Sequence, residues 1–274
     1  MRNQPPLRRM IPITAIRHLY RLLRDFPMAE FHLAVARELC RRPEQMAKLI
    51  AESREHCTLY DNRDEGFHNR GTEGLLSDRM LGNGQLANML VQQLVGIEGK
   101  VAKVEGEPQY DFRYVDYQIS PLRTTRSEFE NGESGQSSGA GGMDILLSNQ
   151  EDRTPIVGEI KADTDVNPFF GLIQSLMYAV ELSTPSQRTR LQKAYPDRFA
   201  GLSTGPGIDI YLILLRYPKD MVSQQFLTLT GEMSAYLMAK DCPISNIVRR
   251  IVALQSPMSP TNLNQFTVAF AHGD

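Results

Sequence analysis

The sequence predicts an α/β protein, a central mixed β-sheet flanked by helices with a helical region in front of it. Three observations predict it. Apolar residues recur at helical spacing through residues 13–56. Strand candidates follow at 110–119, rich in aromatic and β-branched residues, and at 143–149, 154–163 and 208–218. A helical segment, 167–182, falls between the third and fourth of these candidates. The order helix, strand, strand, strand, helix, strand is not the regular alternation of a doubly wound sheet, so the sheet should be mixed.

Taken in order, Ile16, Leu19, Leu22, Leu23 and Phe26 mark the first helix, which Pro27 interrupts. Phe31, Val35 and Leu39 carry a second helix up to Pro43, and Met46, Leu49 and Ile50 a third. Residues 57–71 are polar and read as a loop. A helical stretch spans 73–97, broken near Gly82 and Gly84, with Leu86, Leu90 and Leu94 as its apolar stripe. The strand candidate YDFRYVDYQI covers 110–119, and Gly/Ser-rich 133–142 reads as a long loop. MDILLSN (143–149) and TPIVGEIKAD (154–163) form a strand pair around the hairpin loop 150–153. Pro168 lies near the start of the next helix, where proline is tolerated. IDIYLILLRYP (208–218) reads as a buried strand. Helices are expected near 230–240 and 244–254, and a strand at 265–271.

Hydrophobic residues make up 41% and charged residues 23% of the 274, the balance of a soluble globular protein. No long apolar run suggests a membrane span, and a cytoplasmic location is expected. The Arg-rich N-terminus reads as a basic amphipathic helix, a composition that a transit peptide shares. Cys40, Cys57 and Cys242 are scattered and odd in number, which fits free thiols. His18, His32, His56, His68 and His272 are dispersed and form no nucleophilic constellation. The net charge is −2, yet residues 1–60 hold eleven Lys/Arg against six Asp/Glu. A basic surface can therefore exist on a nearly neutral molecule.

Chemistry concentrates in the strand pair. Alternation puts Glu159 and Lys161 on one face of their strand, together with Val157 and Asp163. Asp144 opens the neighbouring strand fifteen residues earlier, so the two carboxylates can converge. With the Ile160 backbone carbonyl they form a hard oxygen set suited to Mg²⁺ or Mn²⁺. Gln174 and Tyr178 sit one turn apart on the following helix and share a face. Asp163 and Asp165 read as loop or capping residues before Asn167.

Asp144, Glu159-x-Lys161 and Gln174-x-x-x-Tyr178 together resemble the PD-(D/E)XK nuclease superfamily, and the Gln/Tyr pair resembles its RecB-like branch. The resemblance spans roughly residues 73–218. It implies a restriction-endonuclease-like core and a metal-dependent nuclease that hydrolyses phosphodiester bonds, with DNA the expected substrate. Asp144 and Glu159 would hold Mg²⁺ or Mn²⁺. Lys161 would orient or activate water or neutralise the phosphate, and Gln174 and Tyr178 would position the site. The family often adds a Glu from its first core helix; Gln85 stands at that place here, and Glu73 is a candidate substitute. Arg123, Arg126, Arg188, Arg190, Lys193 and Arg198 are candidate phosphate contacts, each also readable as plain surface. The expected organisation is a helical region at 1–70, a nuclease-like core at 71–220 and a C-terminal extension at 221–274. The helical region could bind a protein partner, a second copy or DNA. The alternative function is a catalytically inactive nuclease fold that binds nucleic acid or serves assembly.

Overall fold

The computed structural model describes residues 15–59, 67–69, 85–97, 101–121, 142–162, 165–202, 207–244, 246–256 and 265–273. Three helices come first: α1 (Ile16–Asp25), α2 (Ala29–Arg41) and α3 (Pro43–Leu59). Pro27 lies between α1 and α2, and Pro43 opens α3, where its missing N–H costs nothing. No side chain caps α1; instead the Ile16 N–H donates to Ser53 Oγ of α3 at 3.0 Å. The rest runs β1 (Phe67–Asn69), α4 (Gln85–Gly96), β2 (Phe112–Pro121), β3 (Met143–Asn149), β4 (Pro155–Lys161), α5 (Pro168–Leu182), α6 (Pro185–Ala194), α7 (Pro196–Phe199), β5 (Ile208–Leu215), α8 (Met221–Leu237), β6 (Val248–Ser256) and β7 (Thr267–Gly273). Asn167 caps α5 through the Phe170 N–H, and Asp220 caps α8 through those of Val222 and Ser223.

The seven strands lie side by side in chain order. β1 to β4 pair antiparallel, β4–β5 and β5–β6 pair parallel, and β7 returns antiparallel to β6. The two parallel connections carry α5–α7 and α8, as crossovers require. The fold is thus an α/β arrangement with a mixed sheet flanked by helices. A continuous core on one face joins α1, α2, α3, α5 and α8 to the sheet through residues such as Leu19, Leu23, Ile50, Leu176, Val157 and Leu212. A second core on the opposite face holds Leu86, Leu90 and Leu94 of α4 against Phe112, Ile145, Ile160 and Tyr211. Single bridges, Ala102 to Phe112 and Val104 to Phe266, tie the segment before β2 to both β2 and the start of β7. The sheet therefore curls around the second core.

The break points at Pro27 and Pro43, the β3–β4 hairpin and the helix after it lie where the sequence puts them. Two expectations are corrected. Residues 57–71 contain β1, which pairs with the end of β2. Residues 244–254, expected as a helix, supply most of β6. Ile247, Ile251 and Leu254 fit a helical period, but β6 is an inner strand whose apolar residues serve both faces. The segment 221–274 supplies two strands of the same sheet. Residues 73–84 and 133–141, expected to be helical and a loop respectively, lie outside the described residues. Among the described residues no helix is long and apolar enough to cross a membrane.

Candidate active site

The sheet register builds the site. Ile145 pairs with Gly158, so the same register carried one residue further sets Asp144 opposite Glu159. Directly opposite residues of an antiparallel pair share a face and stand close. The face is that of the larger core, since Val157 and Leu146, two residues away on their strands, belong to it. Asp144, Glu159 and Lys161 are all buried, the last two at 1% exposure.

Their bonds are specific. Asp144 Oδ2 accepts the Ile160 N–H at 2.9 Å, where a regular ladder would have used a carbonyl. The N–H and C=O of a strand residue point to the same neighbour, so the Ile160 carbonyl is also directed to the β3 side. Gln118 Nε2 approaches Asp144 Oδ1 at 3.4 Å. Lys161 Nζ donates to Glu159 Oε1 at 3.1 Å and to Asp165 Oδ2 at 2.8 Å, and lies 5.5 Å from the Phe170 ring centroid. Glu159 Oε2 is buried and accepts no hydrogen bond.

Electrostatics follow from this crowding. Burial pushes the Asp144 carboxyl up to about 6, against the pull of Lys161 and the Ile160 N–H. Burial and then the Asp144 charge hold Glu159 well above the usual carboxylate range. Burial alone would depress Lys161, but Glu159, Asp165 and Asp144 outweigh it and raise it. Lys161 therefore keeps its proton at neutral pH. Three carboxylates converge on one ammonium.

Helix α5 lies directly over the pair. A Cβ on Gly171 would come within 2.7 Å of Lys161 Cε and 3.1 Å of Glu159 Cγ. Phe170, Gln174 and Tyr178 follow one another at four-residue spacing along α5. Tyr178 is buried, and its hydroxyl is raised first by burial and then by Tyr20, Glu159 and Asp144. Gln174 is half-buried one turn from it. From α1, Tyr20 stacks on Phe170 with ring centroids 5.5 Å apart, and feels Glu159 and Asp144. His32 of α2 binds the Leu23 carbonyl through Nε2 at 2.8 Å and Asn167 Nδ2 through Nδ1 at 2.7 Å. That makes it the Nε2–H tautomer, and burial lowers its basicity.

The structure thus brings Asp144, Glu159, Lys161 and Tyr178 together. It also adds partners that sequence reasoning missed. Asp165, read as a loop or capping residue, is an ion-pair partner of Lys161, while Asn167 does the capping. Gln118, Gly171, Tyr20 and Phe170 carry no motif, and their roles depend on register and helix docking. Gln85 is exposed at the start of α4, the helix that covers the other face. Arg188 and Arg190 are buried rather than at the surface, and Arg188 Nη2 donates to the Gly207 carbonyl at 2.8 Å. Lys193 is exposed and Arg198 half-buried. Glu73, Arg123, Arg126 and Asp163 lie outside the described residues.

Among the described residues no group of three His, Cys, Asp or Glu side chains could hold a metal ion. The carboxylate pair nonetheless fits a divalent cation, since Glu159 Oε2 is buried and accepts no hydrogen bond, and the Glu159 and Asp144 carboxyls lie within hydrogen-bond reach of each other. No family model matches the chain, and neither a curated protein nor a solved structure matches it.

Proposed function

We propose that the chain is a metal-dependent nuclease of the PD-(D/E)XK type, with a restriction-endonuclease-like core, acting on nucleic acid and above all on DNA. The observation that supports the reading is the convergence of Asp144, Glu159 and Lys161 beside an unpaired buried carboxylate oxygen. Asp144 and Glu159 would hold Mg²⁺ or Mn²⁺, with the Ile160 carbonyl on the same side. When bound, the ion supplies Lewis-acid stabilisation and a nucleophile at neutral pH. Lys161 would orient or activate the water, or donate to a phosphate oxygen as charge grows there. Asp165 and Glu159 aim the ammonium, and Phe170 covers it. Tyr178 and Gln174, one turn apart on α5, would position the site.

Cleavage of single- and double-stranded DNA and RNA with Mg²⁺ or Mn²⁺ tests the proposal. Wild-type protein should cleave at least one of them. Lys161→Ala should lower the rate by about 10³-fold or more while circular dichroism stays unchanged. Absence of cleavage on every substrate with either metal would overturn the proposal.

One observation favours the second reading, an inactive nuclease fold used for binding or assembly. Glu159 and Lys161 lie beneath α5, with Tyr20 of α1 stacked on the Phe170 that covers Lys161, so a substrate phosphate must displace side chains to reach them. Nucleic-acid affinity that is the same in wild type and Lys161→Ala, without cleavage in either, would support that reading.

A further inference from the structure

The candidate metal centre has two carboxylates where a well-held divalent cation takes more oxygen ligands. Among the described residues no third acidic side chain completes a metal-binding group with them, Asp165 being held on Lys161. Gln85 is on the helix of the opposite face. The sheet itself offers a different third group. Tyr117 pairs with Ile145 and Ile119 with Met143, so Gln118 stands opposite Asp144. Gln118, Asp144 and Glu159 therefore form one row across β2, β3 and β4.

The backbone is shaped to make this row. Gln118 has φ 50°, a left-handed conformation that side-chain-bearing residues adopt at a cost. Such an outlier inside a strand needs surroundings that enforce it. Here Gly142 lies so close that a Cβ on it would sit 2.8 Å from the Gln118 carbonyl carbon. The half-buried Gln118 side chain is turned to Asp144, with Nε2 at 3.4 Å from Oδ1. A half-turn of the amide exchanges two atoms of similar size and aims Oε1 at the same point.

We propose that Gln118 supplies the third side-chain oxygen of the metal centre, in the place the sequence leaves to Glu73 or Gln85; this rests on the metal-dependent reading of Asp144 and Glu159. A neutral ligand also suits the charge. With both carboxyls ionised, as cation binding requires, Asp144, Glu159 and Asp165 against Lys161 leave two negative charges, which one divalent ion balances.

Mn²⁺ binding to the full chain, followed by calorimetry and by the electron paramagnetic resonance of the ion, tests the proposal. Wild type should bind, and Asp144→Ala should not. Gln118→Ala should weaken binding by roughly 10-fold or more. Gln118→Asn tolerates the left-handed backbone but is one carbon shorter, so it should melt metal-free like wild type and bind as weakly as Gln118→Ala. Gln118→Glu should regain wild-type affinity or exceed it. If Gln118 only donates a hydrogen bond to Asp144, Gln118→Glu will repel that carboxylate and bind as poorly as Gln118→Ala, which overturns the proposal. Unchanged affinity in Gln118→Ala and Gln118→Asn, with loss in Asp144→Ala, overturns it and leaves the metal-dependent reading standing. No Mn²⁺ binding by wild type overturns both.

Discussion

Two charge clusters, each built on a buried carboxylate, occupy this sheet, on opposite faces and toward opposite ends of the β4–β5 ladder. One is Asp144, Glu159 and Lys161 with Asp165. The other is Asp209 with Arg249, Arg250 and Asp152. The register pairs Glu159 with Leu212 and Lys161 with Leu214, so these two stand three and five residues, roughly 10 and 16 Å, from Asp209 along the strands. Asp209 is fully buried and bound by two prongs of Arg249, at 2.9 and 2.7 Å, with Arg250 Nε at 3.4 Å. Arg249 also reaches Asp152 in the β3–β4 hairpin. Two acids meet two guanidiniums, and both oxygens of Asp209 are engaged. Around Lys161, three acids meet one ammonium and Glu159 Oε2 is left unpaired. In the Asp209 cluster the charges balance and the buried atom without a hydrogen bond is a donor, Arg250 Nε; around Lys161 acids are in excess and it is an acceptor, Glu159 Oε2, which the proposed cation would engage.

The largest effect should come from breaking the balanced cluster. Arg249→Ala leaves Asp209 buried with Arg250 alone, at 3.4 Å and without a hydrogen bond, and should cost about 3 kcal/mol or more in urea denaturation. Mn²⁺ affinity should stay as in wild type. A loss below about 1 kcal/mol would erase the distinction between the clusters.

A substitution in the unbalanced cluster should act with the opposite sign. The Asp144 carboxyl is held up at about 6 in the folded protein, while an unfolded Asp ionises near 3.8. Between these values the folded state binds the extra proton, so stability falls as pH rises from about 4 to about 6. The loss is complete above that range, at most about 3 kcal/mol. Asp144→Asn does not ionise and still accepts the Ile160 N–H. Metal-free Asp144→Asn should therefore be more stable than wild type at pH 7, by about 1–3 kcal/mol, with the gain vanishing below pH 4. Mn²⁺ at a hundred times its dissociation constant should return about 2.7 kcal/mol to wild type alone. Thermal melts across pH, with and without Mn²⁺, check both halves. A destabilised Asp144→Asn at pH 7 would show that the bonds to the Asp144 carboxylate outweigh the cost of its burial.

The two clusters also differed in how readable they were. Glu159 and Lys161 alternate on one strand, and Asp144 lies one short hairpin away, so their meeting follows from a register that the loop length constrains. Tyr178 follows from helical spacing. Asp209 and Arg249 are forty residues apart on neighbouring parallel strands, and no local pattern relates them. Gln118 was hidden for a similar reason: over twenty residues separate it from Asp144, so no turn fixes the β2–β3 register, and a bulge between Tyr114 and Asp116 shifts it. β6 was misread because a strand buried on both faces lacks the period-two alternation that marks a half-exposed one.

The finest test of the comparison is one methyl group. Gly171 sits in the first turns of α5, where alanine is the better helix former by about 1 kcal/mol. The added Cβ, however, would lie 2.7 Å from Lys161 Cε. A long lysine usually yields to such a contact. Here the ammonium is tied at 3.1 and 2.8 Å to Glu159 and Asp165, so it can retreat only by leaving one of them. The helix gain and the packing strain should nearly cancel, leaving Gly171→Ala within about 1 kcal/mol of wild type. Cleavage should nonetheless fall by roughly 10-fold or more, because a displaced ammonium no longer meets the phosphate correctly. Gly231→Ala, inside α8 and with its Cβ in ordinary contact with Phe270 at 3.5 Å, is the matched control: it should gain about 1 kcal/mol from the same helix preference and leave cleavage unchanged. If Gly171→Ala keeps full activity, Lys161 has freedom that a receptive but tightly aimed site would not allow, and the ammonium acts as a structural counter-charge like Arg249.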